Sequence, residues 1–472
     1  MPVVKLIRQR KKMSVSGARQ RDRRSAALSN RGLFRDHTCM RQTSEHSTDY
    51  VRGDATGLAL PAHEQALRAA GETFLTDAFR AFGSIDPDNR IVRISRIEPF
   101  AGGNSGHKLL LSVDYALAQP GLHTDLFVKF SRDFADPFRD RRRHELESEV
   151  RLARLSRKPG FPIAVPRPYF GDFHCASGTG LIITQRIPFG RDGIEPLRPK
   201  CMDHELEQPL EYYQATVTAL AHLAAAHKCG ALSPEADALF PFDPALAMAE
   251  IPIPWTEAQL GERIARYARF AAQCPRLLPA RLAAPAFISR LERDAARFVV
   301  HEAAVKRYLL SKPDYLALCH WNSHIDNAWF WRDASGTLKC GLLDWALVRQ
   351  MNVATGLWGG LCGASWELWD RHLDELLVLF IGELRARGGP TLERSELRLH
   401  LDLTTALLGL ALMMDVPALV LSRVPEAASA AGPLDPVFQG SEVARTFLHV
   451  FTMFLSLWEG DDFSAALDRA LS

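Results

Sequence analysis

Polar side chains crowd one short segment in the second half of the chain, between two apolar stretches. Residues 320–327, here called the polar loop, begin with His320 and end with Asn327, and Asp344 follows a second apolar stretch. Imidazole, amide and carboxylate groups can bind cations or hold protons, so this loop is the first candidate for a functional site. His320 and His324 are four residues apart, but a zinc site at that spacing needs a helix, which a loop does not supply.

Two short apolar strands, residues 328–331 and 341–343, must hold the polar loop in place, with a polar turn between them. Three further stretches of strand character lie upstream, at residues 91–99, 107–115 and 125–130. The spacing of these three stretches predicts an antiparallel meander.

Helical spacing of apolar residues begins at Ala66 and continues to Phe82, and it dominates the chain after about Cys201. The predicted later helices cover residues 212–227, 257–272, 287–308 and 366–387, with two more before the end. The apolar run from Leu403 to Leu421 is interrupted by Asp415 and Pro417. A bilayer span needs about 20 clean apolar residues, so this run predicts a buried helix and no membrane association.

The composition is that of a globular protein. The chain has 472 residues, of which 47% are hydrophobic and 24% charged, which excludes collagen-like, coiled-coil and wholly disordered classes. The net charge of +2 hides an asymmetry, because residues 1–52 carry 13 Lys and Arg against 4 Asp and Glu, or +9, which leaves −7 for the rest. An acidic body would repel a phosphate backbone, so no nucleic-acid partner is expected.

Residues 1–55 predict a basic, disordered N-terminal extension, because Arg, Ser and Gln dominate it and aromatic residues are few. Three interpretations stay open: sequence added by an upstream translation start, with Met13 and Met40 as alternative starts; a targeting peptide; or a basic tail for anionic partners. Eight cysteines without a C-x-x-C pair, and no signal peptide, predict reduced thiols and a cytoplasmic location.

The polar loop and the segment Leu342-Leu343-Asp344-Trp345 resemble two motifs of the aminoglycoside phosphotransferase and choline kinase-like family. That family has H-G-D-x-x-x-x-N in its catalytic loop and I-D-W or I-D-F after the later strand, the counterparts of two protein-kinase elements. The resemblance implies ATP and Mg²⁺ as cofactors, with Asn327 and Asp344 as the metal ligands. It also implies that His320 hydrogen-bonds backbone near Asp344.

Upstream positions agree with the same resemblance in the family's order. The turn containing Gly103, Asn104 and Ser105 is similar to the family's phosphate-covering turn. The remaining implied nucleotide-binding residues are a lysine in an apolar strand, its glutamate partner on the next helix and a residue at the hinge: Lys129, Glu149 (with Glu145 and Glu147 as alternatives) and Gln185.

The resemblance implies an α+β, two-lobed, protein-kinase-like fold with a small antiparallel-sheet N-lobe and a larger, mainly helical C-lobe. The expected division is an N-lobe at residues 56–187, a linker at 188–200 and the helical C-lobe at 201–472. The family's activity would be transfer of a phosphoryl group to a hydroxyl of a small molecule. Aminoglycosides, choline-like amines, sugars, macrolides and lipids all fit as acceptors, and the acidic body favours a cationic or neutral one.

The chain departs from the family's pattern at two places. Asn322 stands where the family has its catalytic Asp, and an amide cannot take up a proton. Asp326 is a possible substitute, although strand alternation would point it away from the side of Asn327. Residues 351–360 contain no acid where the family has a D-P-x-x-D-L-A-like segment, and we expect Trp358 to replace charge with packing.

These departures leave three functional hypotheses. The first is a phosphotransferase in which Asn322 orients the acceptor hydroxyl. The second is a pseudokinase that keeps the fold as a nucleotide-binding or partner-binding module. The third is a helical binding protein that the motifs resemble by chance. Seven tryptophans between Trp321 and Trp369 predict core packing rather than an aromatic platform for a ligand.

Overall fold

The computed structural model describes residues 49–100, 106–134, 136, 139, 142 and 145–472. The chain divides into two compact units. The first unit comprises the chain up to Glu147 together with Tyr169–Ile183. The second unit comprises Ser148–Pro168 and Thr184–Ser472. Of the extension predicted for residues 1–55, residues 1–48 lie outside the described residues, as do the turn residues Gly103, Asn104 and Ser105. Residues 49–55 are described and include a short strand, so the prediction of disorder was wrong for them.

Among the described residues the strands fall into four sheets. They are β1 (Tyr50–Arg52), β2 (Ala59–Pro61), β3 (Ile91–Pro99), β4 (Lys108–Tyr115), β5 (Asp125–Phe130), β6 (Pro168–His174), β7 (Thr179–Gln185), β8 (Leu316–Cys319), β9 (Ala328–Arg332), β10 (Leu338–Leu342) and β11 (Arg349–Asn352). The largest sheet has five strands in the order β3-β4-β5-β7-β6, and β4 pairs antiparallel with both β3 and β5. The predicted meander is therefore confirmed.

The helices are α1 (Glu64–Ala81), α2 (Glu145–Leu155), α3 (Pro209–Lys228), α4 (Ala236–Leu239), α5 (Pro244–Ala249), α6 (Glu257–Gln273), α7 (Pro285–Leu310), α8 (Val353–Leu361), α9 (Trp366–Ala386), α10 (Arg394–Leu412), α11 (Val416–Arg423), α12 (Glu442–Gly460) and α13 (Phe463–Leu471). In the first unit, α1 packs aromatic side chains against β6, with the rings of Phe74 and Phe170 edge to face at 5.8 Å. The second unit is mostly helical. The predicted fold class, a small antiparallel sheet with a larger helical remainder, is confirmed.

The β1–β2 hairpin has no counterpart among the predicted elements. Its loop is tied to β6, because the Asp172 carboxylate accepts hydrogen bonds from the backbone amides of Ala55 and Thr56. Gly53 allows this approach, since a Cβ atom there would lie 2.2 Å from the same carboxylate. A buried acid thus fixes a strand that is too short to be visible in the hydrophobic pattern.

The apolar run from Leu403 to Leu421 forms two helices, so its prediction as one helix was wrong. Helix α10 ends at Leu412, and α11 begins at Val416 after a bend of 48°, with Pro417 in its first turn. Proline fits there because the first-turn amides have no partner within the helix. Within the described ranges no single helix is long and apolar enough to cross a membrane. Only α10 and α11 taken together, with the bend between them, have the length and apolar composition of a span.

Candidate active site

The second unit brings the polar loop and Asp344 together through two small antiparallel ladders. Strand β8 pairs with β11 before the loop, and β9 pairs with β10 after it. The last register pair of the second ladder is Leu342 with Ala328, and one further hydrogen bond joins the Leu343 amide to the Asn327 carbonyl at 2.7 Å. Asn327 and Asp344 therefore leave adjacent strand ends.

Asn322 connects the two implied metal ligands. Its side-chain Nδ2 donates a hydrogen bond to Oδ2 of Asp344 at 3.2 Å, and its main-chain carbonyl accepts one from Nδ2 of Asn327 at 2.8 Å. Asn322 is buried, whereas Asn327 and Asp344 are half-buried. The bond that Asn327 donates through Nδ2 leaves its Oδ1 facing another direction, where it can act as an acceptor or ligand.

Asp344 has a left-handed backbone conformation, with φ of 55°. Among side chains with a Cβ atom, Asn and Asp tolerate this region best. A conformation of this kind in a residue that carries a charge is typical of functional sites, where the surrounding structure enforces it. The hydrogen bond from Asn322 and the strand end before it supply that enforcement.

His320 is a neutral, buried residue that contacts the two chain neighbours of Asp344. Its Nε2 donates to the Leu343 carbonyl at 2.8 Å, and its ring stacks on Trp345 with centroids 4.2 Å apart. Burial lowers the pKa of His320 to about 4, although the Leu343 carbonyl and the Asp344 charge oppose that shift. The neutral imidazole holds the strand end before Asp344 in place through its hydrogen bond to the Leu343 carbonyl. At pH 7 it is not an imidazolium, so it cannot act as a general acid.

Asp326 makes an ion pair with Lys200. The Lys200 Nζ lies 3.3 Å from Oδ2 of Asp326, and both side chains are largely buried. Burial raises the pKa of Asp326, with Lys200 opposing the rise. Within the described ranges Asp326 makes no hydrogen bond to the side chain of Asn322, so the structure gives the substitute-base hypothesis no geometric support. Lys200, in the predicted linker, had no signal in the sequence that would have identified it.

Helix α8 covers the polar loop at very close range. A Cβ atom on Gly359 would lie 1.8 Å from the Trp321 carbonyl oxygen, so only glycine allows this approach. The Trp358 ring stacks on Trp321 at 6.4 Å with an angle of 25° between the planes. Packing therefore braces the loop at Trp358, in line with the packing role expected for this residue.

A buried polar network begins α8. The Asn352 side chain accepts from the Ala354 amide, which caps the helix, and its Nδ2 lies 2.8 Å from Nδ1 of His400. His400 is fully buried, and its Nε2 faces Oε1 of Glu396 at 3.1 Å. The partners fix the neutral tautomer: Nδ1 accepts from Asn352 and Nε2–H donates to Glu396. Asparagine before a helical run is a recognisable cap in the sequence, but its link to His400 is not.

The tryptophan-rich region is core rather than platform. Five of the seven side chains in this region are buried: Trp321, Trp329, Trp345, Trp358 and Trp369. The two half-buried ones, Trp331 and Trp366, are well separated in the chain. The prediction of core packing agrees with these positions.

The implied nucleotide-binding residues lie on regular elements. Lys129 is buried on β5, and Glu149 is buried on α2. Gln185 is the last residue of β7, and its backbone N–H donates a hydrogen bond to the Arg167 carbonyl at 2.8 Å. The ion pair between Lys129 and Glu149 stays a prediction, as does the hinge role of Gln185.

The donor set of the loop fits a hard divalent cation better than a soft one. Asp344 offers carboxylate oxygens and Asn327 an amide oxygen, and Mg²⁺ is held in proteins by one or two such groups with water and phosphate oxygens. The part of the chain that the structure describes contains no cluster of three or more His, Cys, Asp or Glu that could hold a metal. A cation held by Asp344 and Asn327 would need further oxygen ligands from water or phosphate.

No protein-family model and no curated protein matches the chain. Several solved structures match in fold, all at low identity. A choline/ethanolamine kinase family protein from Mesorhizobium loti is 14% identical, covers 78% of this chain and 93% of its own, and has a TM-score of 0.37. A choline kinase from Cryptosporidium parvum Iowa II is 14% identical over 79% of this chain and 90% of its own, with a TM-score of 0.39.

A spectinomycin phosphotransferase, solved with ADP and spectinomycin, is 12% identical and covers 78% of this chain and 95% of its own, with a TM-score of 0.36. These structures are small-molecule kinases of the families that the motifs of this chain resemble.

Replacing Gly359 by alanine should disrupt the polar loop, because the added methyl group meets main chain that cannot rotate away. We expect a loss of roughly 1–3 kcal/mol or more in the free energy of unfolding, the range for overpacked sites. Gly382→Ala is the matched control, since Gly382 is an exposed helical glycine with open space around it. The control should be neutral or stabilising by up to about 1 kcal/mol. Equal stability of the two variants in urea unfolding would contradict the close-approach explanation.

The His400 network should make stability depend on pH in the acid range. Burial lowers the pKa of His400 from 6.5 to about 4, so between these values the unfolded chain binds a proton that the folded chain does not. The free energy of unfolding should therefore fall as pH falls through that window, by up to about 1.4 kcal/mol per pH unit for this residue. His400→Gln, which can keep both hydrogen bonds, should flatten the slope, whereas His204→Gln at an exposed position should not. A slope unchanged in His400→Gln would rule this residue out as its source.

Proposed function

We propose that this protein is a phosphotransferase that uses ATP and Mg²⁺ to phosphorylate a hydroxyl group of a small molecule. One observation carries the proposal: Asn322 bonds both Asp344 and Asn327, so the two oxygen-bearing side chains that such chemistry needs are held together at adjacent strand ends. Phosphoryl transfer asks a protein mainly for positioning and for neutralisation of charge on the phosphates.

In this proposal Asn327 and Asp344 would hold Mg²⁺, which when bound supplies positive charge to the phosphate oxygens. Asn322 has a separate role towards the acceptor. Its Nδ2 is engaged with Asp344, so the orientation of the amide is fixed and Oδ1 becomes an acceptor for a hydroxyl hydrogen. Lys129 and Glu149 would position the nucleotide, and His320 supports the Asp344 strand end through Leu343.

A second candidate function is a nucleotide-binding pseudokinase. The observation that favours it is also at Asn322: an amide hydrogen-bonded to Asp344 cannot take a proton from an acceptor hydroxyl. Loss of a general base costs about 10²–10⁴-fold in rate. Both functions predict a thermal shift with nucleotide, and only the enzyme predicts acceptor-dependent release of ADP.

Removing the carboxylate of Asp344 should abolish turnover. We compare Asp344→Asn with Asp344→Ala, because Asn tolerates the left-handed backbone at this position while Ala does so at a cost of roughly 1–2 kcal/mol. ADP release with ATP, Mg²⁺ and a panel of hydroxyl acceptors should drop at least about 10²-fold in both variants. The melting temperature should fall mainly in Asp344→Ala. Turnover that survives in Asp344→Asn would contradict the metal-ligand role.

Restoring an acid at position 322 tests the role of the amide. In the enzyme, Asn322→Asp should raise turnover by up to about 10²–10⁴-fold if proton removal limits the rate. The variant should also lose stability without Mg²⁺, because two carboxylates would face each other where the amide now bonds Asp344 at 3.2 Å. Unchanged turnover in Asn322→Asp would show that Asn322 is not a weakened base. A chain that binds nucleotide but releases no ADP in either form would favour the pseudokinase.

A further inference from the structure

A buried lysine of the predicted linker, Lys200, contacts the polar loop at Asp326. Lys200 Nζ lies 3.3 Å from Oδ2 of Asp326, with the two side chains only 15% and 21% exposed. Its main-chain carbonyl accepts a hydrogen bond from Arg445 of α12 at 3.2 Å. The next residue, Cys201, has a left-handed backbone with φ of 54°. This backbone is therefore held in a set conformation on both sides of the Lys200 side chain.

Asp326 needs this lysine. Its Oδ1 atom is buried and makes no hydrogen bond within the described ranges. One further acid, Glu442, adds negative charge near it. A buried carboxylate without a counter-charge costs several kcal/mol, so removal of Lys200 would favour movement of the Asp326 side chain toward solvent.

Movement of Asp326 would reach Asn327 directly. The two residues are consecutive in the single 3₁₀ turn Ile325–Asn327, and the Asn327 amide is bonded to the His324 carbonyl at 2.8 Å. Residues that orient a metal ligand without touching the metal commonly change metal affinity by 10–100-fold when they are replaced. The ion pair occupies that position relative to Asn327.

We propose that Lys200 is a positioning residue: its ammonium group holds the Asp326 carboxylate and so fixes the turn from which Asn327 presents its side-chain oxygen. This proposal rests on the proposed function, because it takes Asn327 as a ligand of the nucleotide-bound cation. It assigns a role in the site to the predicted linker, far from the polar loop in sequence.

The test measures the dissociation constant of ADP with and without Mg²⁺ by calorimetry. Its readout is the dissociation constant without Mg²⁺ divided by the dissociation constant with Mg²⁺. The parent should bind ADP more tightly with Mg²⁺. Lys200→Met should reduce that ratio by about 10-fold or more, with ADP binding in the absence of Mg²⁺ little changed. Lys200→Arg keeps the charge and should retain most of the ratio.

Lys306→Met is the matched control for a purely structural effect. Lys306 is also a buried lysine in an ion pair, with its Nζ 2.8 Å from Glu302 and side chains 11% and 19% exposed, but it lies in α7, which contributes no residue to the polar loop. Lys306→Met should lower the melting temperature and leave the ratio unchanged. An equal fall of the ratio in both methionine variants, or no fall in Lys200→Met, would overturn the proposal.

If Lys200→Met does not fold, the double variant Lys200→Met with Asp326→Asn replaces it. It removes both charges, so no unpaired charge stays buried and the fold should recover. The ratio should stay low, because no ionic link holds the turn; a ratio equal to that of the parent would overturn the proposal. A parent in which Mg²⁺ has no effect on ADP binding would instead overturn the proposed function, and this inference with it.

Discussion

The candidate site depends on the two hydrogen bonds of a single residue, Asn322. One bond comes from its side chain and goes to Asp344; the other is accepted by its carbonyl and comes from Asn327. An Asp at this position would keep the carbonyl bond but would turn the side-chain bond into a repulsion between two carboxylates. The amide therefore preorganises the loop before any cation arrives, at the expense of the proton acceptor.

Neutral packing supports this arrangement. Gly359 lets α8 touch the main chain of the loop, and the ring of Trp358 covers Trp321. Asn352 caps the start of this helix, and its side chain is linked through His400 to Glu396 of α10. Such contacts are short-range and insensitive to salt, but they leave no room for side-chain adjustment. The brace is rigid because it is tightly packed.

The sequence predicts the elements whose patterns are local and misses those whose cause is distant. Strands β3 to β5 follow from alternation and glycine turns, and the order of polar residues after β8 locates the loop. Strand β6 begins at Pro168 and is absent from the predicted elements, because a strand-starting proline is indistinguishable from a turn in the pattern alone. The break between α10 and α11 is marked by Asp415 and Pro417, which were seen as interruptions of one helix.

The least predictable features are the tertiary links of single polar residues. Lys200 is one charged side chain in a segment of prolines and charges, and only the fold reveals that it reaches Asp326. The pairing of Asn352 with His400 is equally invisible in the pattern, since each residue alone is unremarkable in its helix. Periodicity reports which face of an element is buried, whereas a hydrogen bond between distant residues depends on the whole packing arrangement.

Asn322 also sets how far the two functional candidates differ. Its amide can hold an acceptor hydroxyl in place through Oδ1 but cannot remove the proton. In phosphoryl transfer the transition state is largely dissociative, and positioning with charge neutralisation supplies most of the catalysis. Proton removal can then follow bond formation, so loss of the base lowers the rate without dismantling the site. Under the proposed function, the geometry at Asn322, Asn327 and Asp344 is thus compatible with slow transfer, because the groups that would position the reactants are present even though a proton acceptor at position 322 is not.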